Sequence, residues 1–237
     1  MAIGVQRLTN RAAEQSTSVR RPITDVMITA VRNGSVATQQ DSLATEEPME
    51  IRIHGHNQEP VPITTTMRTP GSDFELAAGL LYSEGFLRST ENVRAIRYRD
   101  NLAQEEQLYN LVTVELTGRY DDNHSPRNFI FTSAWGVCAT TAIEDLYSRY
   151  SYVSSSKKVD IDILLEILGL LRKGQKLFSA TGRLHCAGIF DIDGNLECIR
   201  ENAGRAQCIV QGHRSLFSGE EASALRQDSW PVRQDRL

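Results

Sequence analysis

The sequence predicts an α/β chain of the α+β kind: a small β-rich N-terminal domain with one helix, followed by a second α/β domain. Three observations carry that reading. Short runs that alternate apolar with polar residues, or are rich in β-branched side chains, crowd the first 120 residues. A single strong amphipathic helix pattern interrupts them after Pro70-Gly71. Beyond residue 126 the pattern changes to strand, loop and helix in succession, the order of a separate layered unit.

Residues 1–21 carry Arg, Gln, Ser and Thr without a hydrophobic period and read as a flexible arm. Residues 25–31 are β-rich and lead into Asn33-Gly34, a pair that tolerates positive φ and suits a tight turn into a strand at 35–38. Residues 49–54 alternate, and 61–67 form a β-branched run after Pro60, so the segment reads as an antiparallel meander. In the helix that follows, Ser72 is placed to cap the amide of Glu75 while Glu75 reaches back. Phe74, Leu76, Ala77, Leu80 and Leu81 form its apolar stripe, and it ends near Gly85. Strands are expected at 93–98 and 108–116, and the turn-prone stretch 118–127 marks the boundary between domains at 22–120 and 126–217.

In the second domain a short strand at 128–132, a loop at 133–138 and a helix at 139–150 follow one another, with Ala142, Ile143 and Leu146 on one side of that helix. A Leu-rich helix at 159–171 is closed by Gly174. Residues 184–191 and 196–200 around Asp193-Gly194 read as a hairpin with a type I′-like turn, and 203–217 as a helix. The tail 218–237 is polar and patternless.

Composition limits the function classes. Lys and Arg number 26 against 30 Asp and Glu, a net charge of −4 spread without large blocks, which gives no footprint for nucleic acid or an anionic bilayer. No apolar run reaches the roughly 18 residues of a membrane span, and the first residues lack a signal-peptide core, so a cytoplasmic protein is expected. Four cysteines with no Cys-x-x-Cys pair support neither a disulfide scaffold nor an all-cysteine zinc site.

Cys138 stands where a loop enters a helix. Its sulfur can there meet unpaired amides and the positive end of the helix dipole, which favour thiolate. The alternative is a small buried hydrophobe under the helix that follows. His54-Gly55-His56 lacks a third metal ligand, and Gly55 suggests a turn. His185 and Cys186 are adjacent on a strand and point to opposite faces, so they cannot share an ion, and packing is the better reading of Cys186 and Cys198. Arg200, Glu201 and Arg205 around Gly204 form a polar knot between a strand and a helix. Such a knot either holds phosphate or makes a helix-capping ion pair.

Three stretches taken together resemble the formate dehydrogenase accessory sulfurtransferase family, FdhD. The first runs from Met67-Arg68-Thr69-Pro70-Gly71-Ser72-Asp73-Phe74-Glu75-Leu76 to Glu84-Gly85 and is similar to the family's MRTPG(x)DxELaxGfLyxEG signature. The second, Thr132-Ser133-Ala134-Trp135-Gly136-Val137-Cys138, is similar to its cysteine loop TSxCGVCG. The third joins Phe178, Thr181-Gly182-Arg183-Leu184-His185 and Arg200-Glu201-Asn202-Ala203-Gly204-Arg205, and resembles FxxTGGxH and REDxGRHNA. The resemblance implies a sulfur carrier that takes persulfide sulfur from a cysteine desulfurase and passes it to the molybdenum cofactor of a formate dehydrogenase. It also implies a cytidine-deaminase-like fold for the second domain, which would be incomplete here, and a homodimer. Cys138 would be the catalytic residue, and His185, Arg200, Glu201 and Arg205 would bind the bis-pterin guanine dinucleotide cofactor, with none held tightly. No nucleic-acid or membrane partner is implied.

The departures are as specific as the matches. Trp135 stands where the family has its first loop cysteine. Arg183 replaces the second glycine of TGG, and Asn202, Ala206 and Gln207 replace the family's Asp, His and Asn. The tail from Ser218 matches no family segment, so a C-terminally shortened member is expected. The alternatives to sulfur transfer are an impaired member acting as a binding chaperone and a nonfunctional truncated product.

Overall fold

The computed structural model describes residues 21–98, 109–120, 130–131 and 157–212. The first hairpin follows its turn chemistry. Strands β1 (Ile23–Arg32) and β2 (Ser35–Ala44) pair antiparallel from Arg32 opposite Ser35 to Ile23 opposite Ala44. Asn33 and Gly34 both take positive φ, 51° and 81°, the type I′ combination whose twist matches the flanking strands.

The expected meander is replaced by a split arrangement. The β1–β2 ribbon is a sheet of its own, and β3 (Glu47–His54), β4 (Val61–Arg68), β5 (Val93–Tyr98), β6 (Leu111–Leu116) and β7 (Ile130–Phe131) form a five-stranded sheet in the order β5-β6-β3-β4-β7. β3 pairs antiparallel with β4 on one side and parallel with β6 on the other. Periodicity gives each strand its faces and is silent on its neighbours. The parallel pair exists because helix α1 (Asp73–Ser83) carries the chain across the sheet between β4 and β5. β7 adds a parallel edge, Thr65 beside Ile130 and Thr66 beside Phe131.

The core lies between this sheet and α1. Met49, Ile51 and Ile53 from β3, Val112 and Val114 from β6, and Ile96 from β5 meet Leu76, Ala77, Leu80 and Leu81 of α1, all essentially excluded from water. Phe74 stacks against Tyr98 with ring centroids 4.6 Å apart. Residues three and four apart on α1 share a face, so the stripe seen in the sequence is the stripe that is buried. Gly85, at φ 80°, ends this helix as expected. The expected capping box is absent: Ser72 makes no side-chain cap, and Asp73 accepts from the Gly71 amide at 3.2 Å instead. Glu75 is drawn elsewhere, for the reason given below.

Beyond the sheet, α2 (Ile161–Gly174) opens on Asp160, whose side chain accepts from the Asp162 amide at 2.9 Å, and a short α3 (Lys176–Thr181) that periodicity did not show follows at once. β8 (His185–Phe190) and β9 (Leu196–Asn202) form the expected hairpin. Its turn differs from the expected type I′, because only Gly194 takes positive φ. The Asp191 carboxylate accepts from the Asn195 side-chain amide and from the backbone amides of Asn195 and Asp193, which holds its carboxyl below the usual range, and the Asp191 amide donates to the Asn195 carbonyl to close a three-residue loop instead. Helix α4 (Arg205–Gly212) closes the described chain. No helix among the described residues is long and apolar enough to cross a membrane. The expected arm, the cysteine loop, the 139–150 helix and the tail lie outside the described residues.

Candidate functional site

The second region meets the first along the Met67–Gly85 signature. Arg68, at the end of β4, is fully buried. It donates to Asp73 at 3.1 Å, to Glu47 at 2.9 Å and to the Tyr109 carbonyl at 3.1 Å, which fixes the loop from Thr69 to Ser72. A buried guanidinium is tolerated only with such a complete set of acceptors. Onto this loop dock β9 and α4. The Thr69 amide donates to Asn202 Oδ1 at 3.2 Å, Gln207 donates to Thr66 Oγ1 at 3.1 Å, and Gln211 donates to the Ser72 carbonyl at 3.4 Å. Gly79 of α1 lets the backbone at Val210 of α4 come so close that a Cβ would collide with the Val210 carbonyl.

Arg200 reaches across the same seam. Its Nε and Nη2 donate to the two carboxylate oxygens of Glu75 at 2.5 and 2.7 Å, a bidentate pair joining residues 125 apart in the chain. Burial works against the guanidinium charge, but the Glu75 hydrogen bonds and charge outweigh it and hold the Arg200 pKa above its usual value. This pair is what takes Glu75 away from Ser72. Glu201 accepts from the amides of Leu177 at 2.9 Å and Phe178 at 2.7 Å and so caps α3.

Of the sequence-predicted site residues, then, Arg200 and Glu201 lie together beside the signature loop, each engaged by protein groups. They line a cleft with Thr69, Gly71, Ser72 and Gln211. His185 and Arg205 are exposed, at the start of β8 and of α4. His185 sits opposite Asn202 in the hairpin, three residues before Arg205, so both belong to one end of this layer. Cys138 lies outside the described residues.

Sequence reasoning missed the seam itself. Asn202 and Gln207, noted only as departures from the family pattern, are fully buried and bond the signature loop. Four buried polar atoms there, Thr69 Oγ1, Asn202 Nδ2, Gln207 Oε1 and Gln211 Oε1, have no partner among the described residues. A signal existed in the clustering of amide side chains at 202, 207 and 211, two of them one helical turn apart on α4.

Two of the other thiols are shut. Burial, with the Glu201 charge, pushes Cys186 up to about 11, and burial pushes Cys208 up to about 12. Both are protonated at neutral pH and are poor nucleophiles. His54 and His56 flank Gly55, where a Cβ would strike the Tyr120 amide and Gln58. Gln58 closes that turn by exchanging hydrogen bonds with the Tyr120 backbone at 2.6 and 2.9 Å. Among the described residues no three His, Cys, Asp or Glu side chains gather as metal ligands.

Fold and site define a mixed α+β protein in which a long loop-helix signature is locked to a strand-helix motif more than a hundred residues away. Family comparison is more specific. The FdhD/NarQ family model matches residues 44–209, and the chain belongs to that family. It is 37% identical over 174 residues to the sulfur carrier protein FdhD of Nocardia farcinica, covering 72% of this chain and 60% of that protein. Against the sulfur carrier protein FdhD of Mycolicibacterium paratuberculosis it is 37% identical over 201 residues, 82% of this chain and 70% of the relative. The chain thus spans 60–70% of the length of these relatives. In fold it is similar to a crystal structure of a candidate formate dehydrogenase accessory protein from Desulfotalea psychrophila, with TM-score 0.58 and 16% identity, covering 86% of this chain and 70% of that one.

Proposed function

We propose that this chain is a sulfur carrier that acts through Cys138. The carrying observation is that the family match, residues 44–209, runs through the loop-to-helix position of Cys138, while burial holds Cys186 and Cys208 protonated and unsuited to the role. The donor is a cysteine desulfurase persulfide, R–S–SH. The Cys138 thiolate attacks its terminal sulfur, the S–S bond breaks, R–S⁻ leaves, and Cys138–S–SH forms, with charge and atoms conserved. The sulfur then passes to the molybdenum cofactor of a formate dehydrogenase, the acceptor substrate. The expected binding set for its guanine dinucleotide part is His185, Arg200, Glu201 and Arg205. Of these, His185 and Arg205 present open side chains, whereas Arg200 and Glu201 would shape the cleft wall through Glu75 and α3. A cytidine-deaminase-like architecture for the second region, a homodimer and a cytoplasmic location belong to the same reading.

The test is incubation with a desulfurase and cysteine, followed by peptide mass analysis. One added sulfur on the Cys138 peptide, lost in Cys138→Ser, is expected. Sulfur on Cys186, Cys198 or Cys208 instead, or none with a competent desulfurase, overturns the reading in favour of a binding chaperone.

A further inference from the structure

At the end of α1 away from the signature loop lies a second cleft, of about 250 Å³. The eleven residues of α1 set it about 16 Å from that loop. Two segments build it: the turn after α1, which contributes Phe86, Arg88 and Asn92, and the exit of β6, which contributes Leu116, Arg119 and Tyr120.

Backbone hydrogen bonds hold both segments. The amides of Phe86 and Leu87 donate to the Leu81 carbonyl at 2.8 and 3.1 Å, and Gly85 donates to Tyr82 at 3.0 Å, which covers carbonyls at the negative end of the helix. Asn92 Oδ1 accepts from the amides of Arg88 and Ser89 at 3.2 and 3.0 Å, and the Asn92 carbonyl accepts from the Thr117 amide at 3.0 Å, which ties one segment to the other. The His56 amide donates to the Gly118 carbonyl at 2.8 Å, so the turn at His54-Gly55-His56 buttresses this cleft. Open space faces Gly85 and Gly118 where side chains would stand.

The charged and amide side chains here offer donors only. Arg88 and Arg119 are exposed, and among the described residues neither guanidinium has a carboxylate or hydrogen-bond partner. By contrast Arg52, Arg68, Arg94 and Arg97, the arginines carried by strands of the five-stranded sheet, all pair with carboxylates. With Asn92 Oδ1 committed to two amides, its Nδ2 hydrogens are what remains. Neither Glu84 nor Glu91, the acids nearest in sequence, lines the cleft. Its floor is apolar, with Leu116 and Tyr120 buried and the Phe86 and Tyr120 rings 6.2 Å apart.

We propose that this cleft binds a phosphate monoester with an apolar body. Two unpaired guanidiniums match the double charge of such a headgroup, and their planar forks fit its oxygens. The Phe86–Tyr120 floor takes the apolar part, and the small volume restricts the ligand to a small molecule. The site stands apart from the Arg200–Glu201 cleft and does not depend on sulfur transfer.

Phenyl phosphate, titrated into the full chain and followed by amide NMR shifts, is the probe. A Kd of about 1 mM or tighter is expected, with the shifts at Arg88, Ser89, Gly118 and Arg119. Arg88→Gln and Arg119→Gln should each weaken binding about ten-fold, as should replacing the probe by benzoate, which keeps the ring and carries one charge. No shift up to about 10 mM, unchanged affinity in both variants, or shifts centred on His185 and Arg205 would overturn the proposal. Benzoate binding as tightly as phenyl phosphate would overturn the assignment to a phosphate monoester. A rise in unfolding temperature with phenyl phosphate, absent when both arginines are replaced by Gln, is the second expected measure, and the same rise in that variant would place the ligand elsewhere and sink the proposal.

Discussion

The five-stranded sheet with α1 and the layer of α2, α3, β8 and β9 use similar apolar side chains, yet they place them differently. In the first, β3 buries Met49, Ile51 and Ile53 completely, and eight of the eleven residues of α1 are buried. In the second, α2 and α3 contain no buried residue, and β8–β9 has none before Asn202. One region is held by an apolar core of its own. The other is attached through a seam that is largely polar, with Arg200–Glu75, Asn202–Thr69, Gln207–Thr66 and the close approach of Gly79 to Val210. Apolar burial stabilises without direction, whereas a seam of this kind sets register and tolerates little displacement.

The largest effect should come from the pair that supports both regions. Arg68→Ala leaves Asp73 buried without its partner and should cost about 3–5 kcal/mol, read by urea unfolding. A loss below about 1 kcal/mol would mean that water reaches this site and that the core is less dry than its packing implies. Next, Gly79→Val should separate α4 from α1 at a cost of about 1–3 kcal/mol. Hydrogen exchange should then rise across residues 161–212 while β3 and β6 stay protected. Equal loss of protection in both regions would show a single cooperative unit and erase the contrast. Glu75→Gln keeps the size of the side chain and removes its charge, and about 1–2 kcal/mol is expected, again with exchange concentrated in β9 and α4.

A smaller, pH-dependent effect sharpens the same comparison. Cys186 and Cys208 have folded pKa values of about 11 and 12, raised from 9.0. Their contribution is fully present below pH 9.0 and is lost as pH rises from there through the folded values, because only the unfolded chain releases these protons easily. Thermal unfolding followed from pH 8 to 11 should show this decline, reduced in Cys208→Ala relative to the unmutated chain. An identical decline in the variant would place its origin elsewhere.

How much was legible depended on the range of the interactions involved. The β1–β2 turn at Asn33-Gly34, the stripe of α1 and the β8–β9 hairpin were readable because residues within a few positions of one another decide them. The family, too, was readable from the Met67–Gly85 signature and the cysteine loop, since backbone and side chain there are specified residue by residue. The capping box failed at Ser72 for the opposite reason: Glu75 had a stronger, charged partner in Arg200, 125 residues away. The parallel pairing of β3 with β6, the three-residue loop at Gly194 and the role of Asn202 and Gln207 as seam residues likewise depend on what lies opposite. By itself the sequence determined most of the strands and helices, which side of each is apolar, and which family's signature the cysteine loop matches, while the short helix α3 was not among them. The tertiary structure alone decided which charged groups meet, because ion pairs and shared hydrogen bonds are set by distance in space, and the alternation of side chains along a strand or helix carries no information about it.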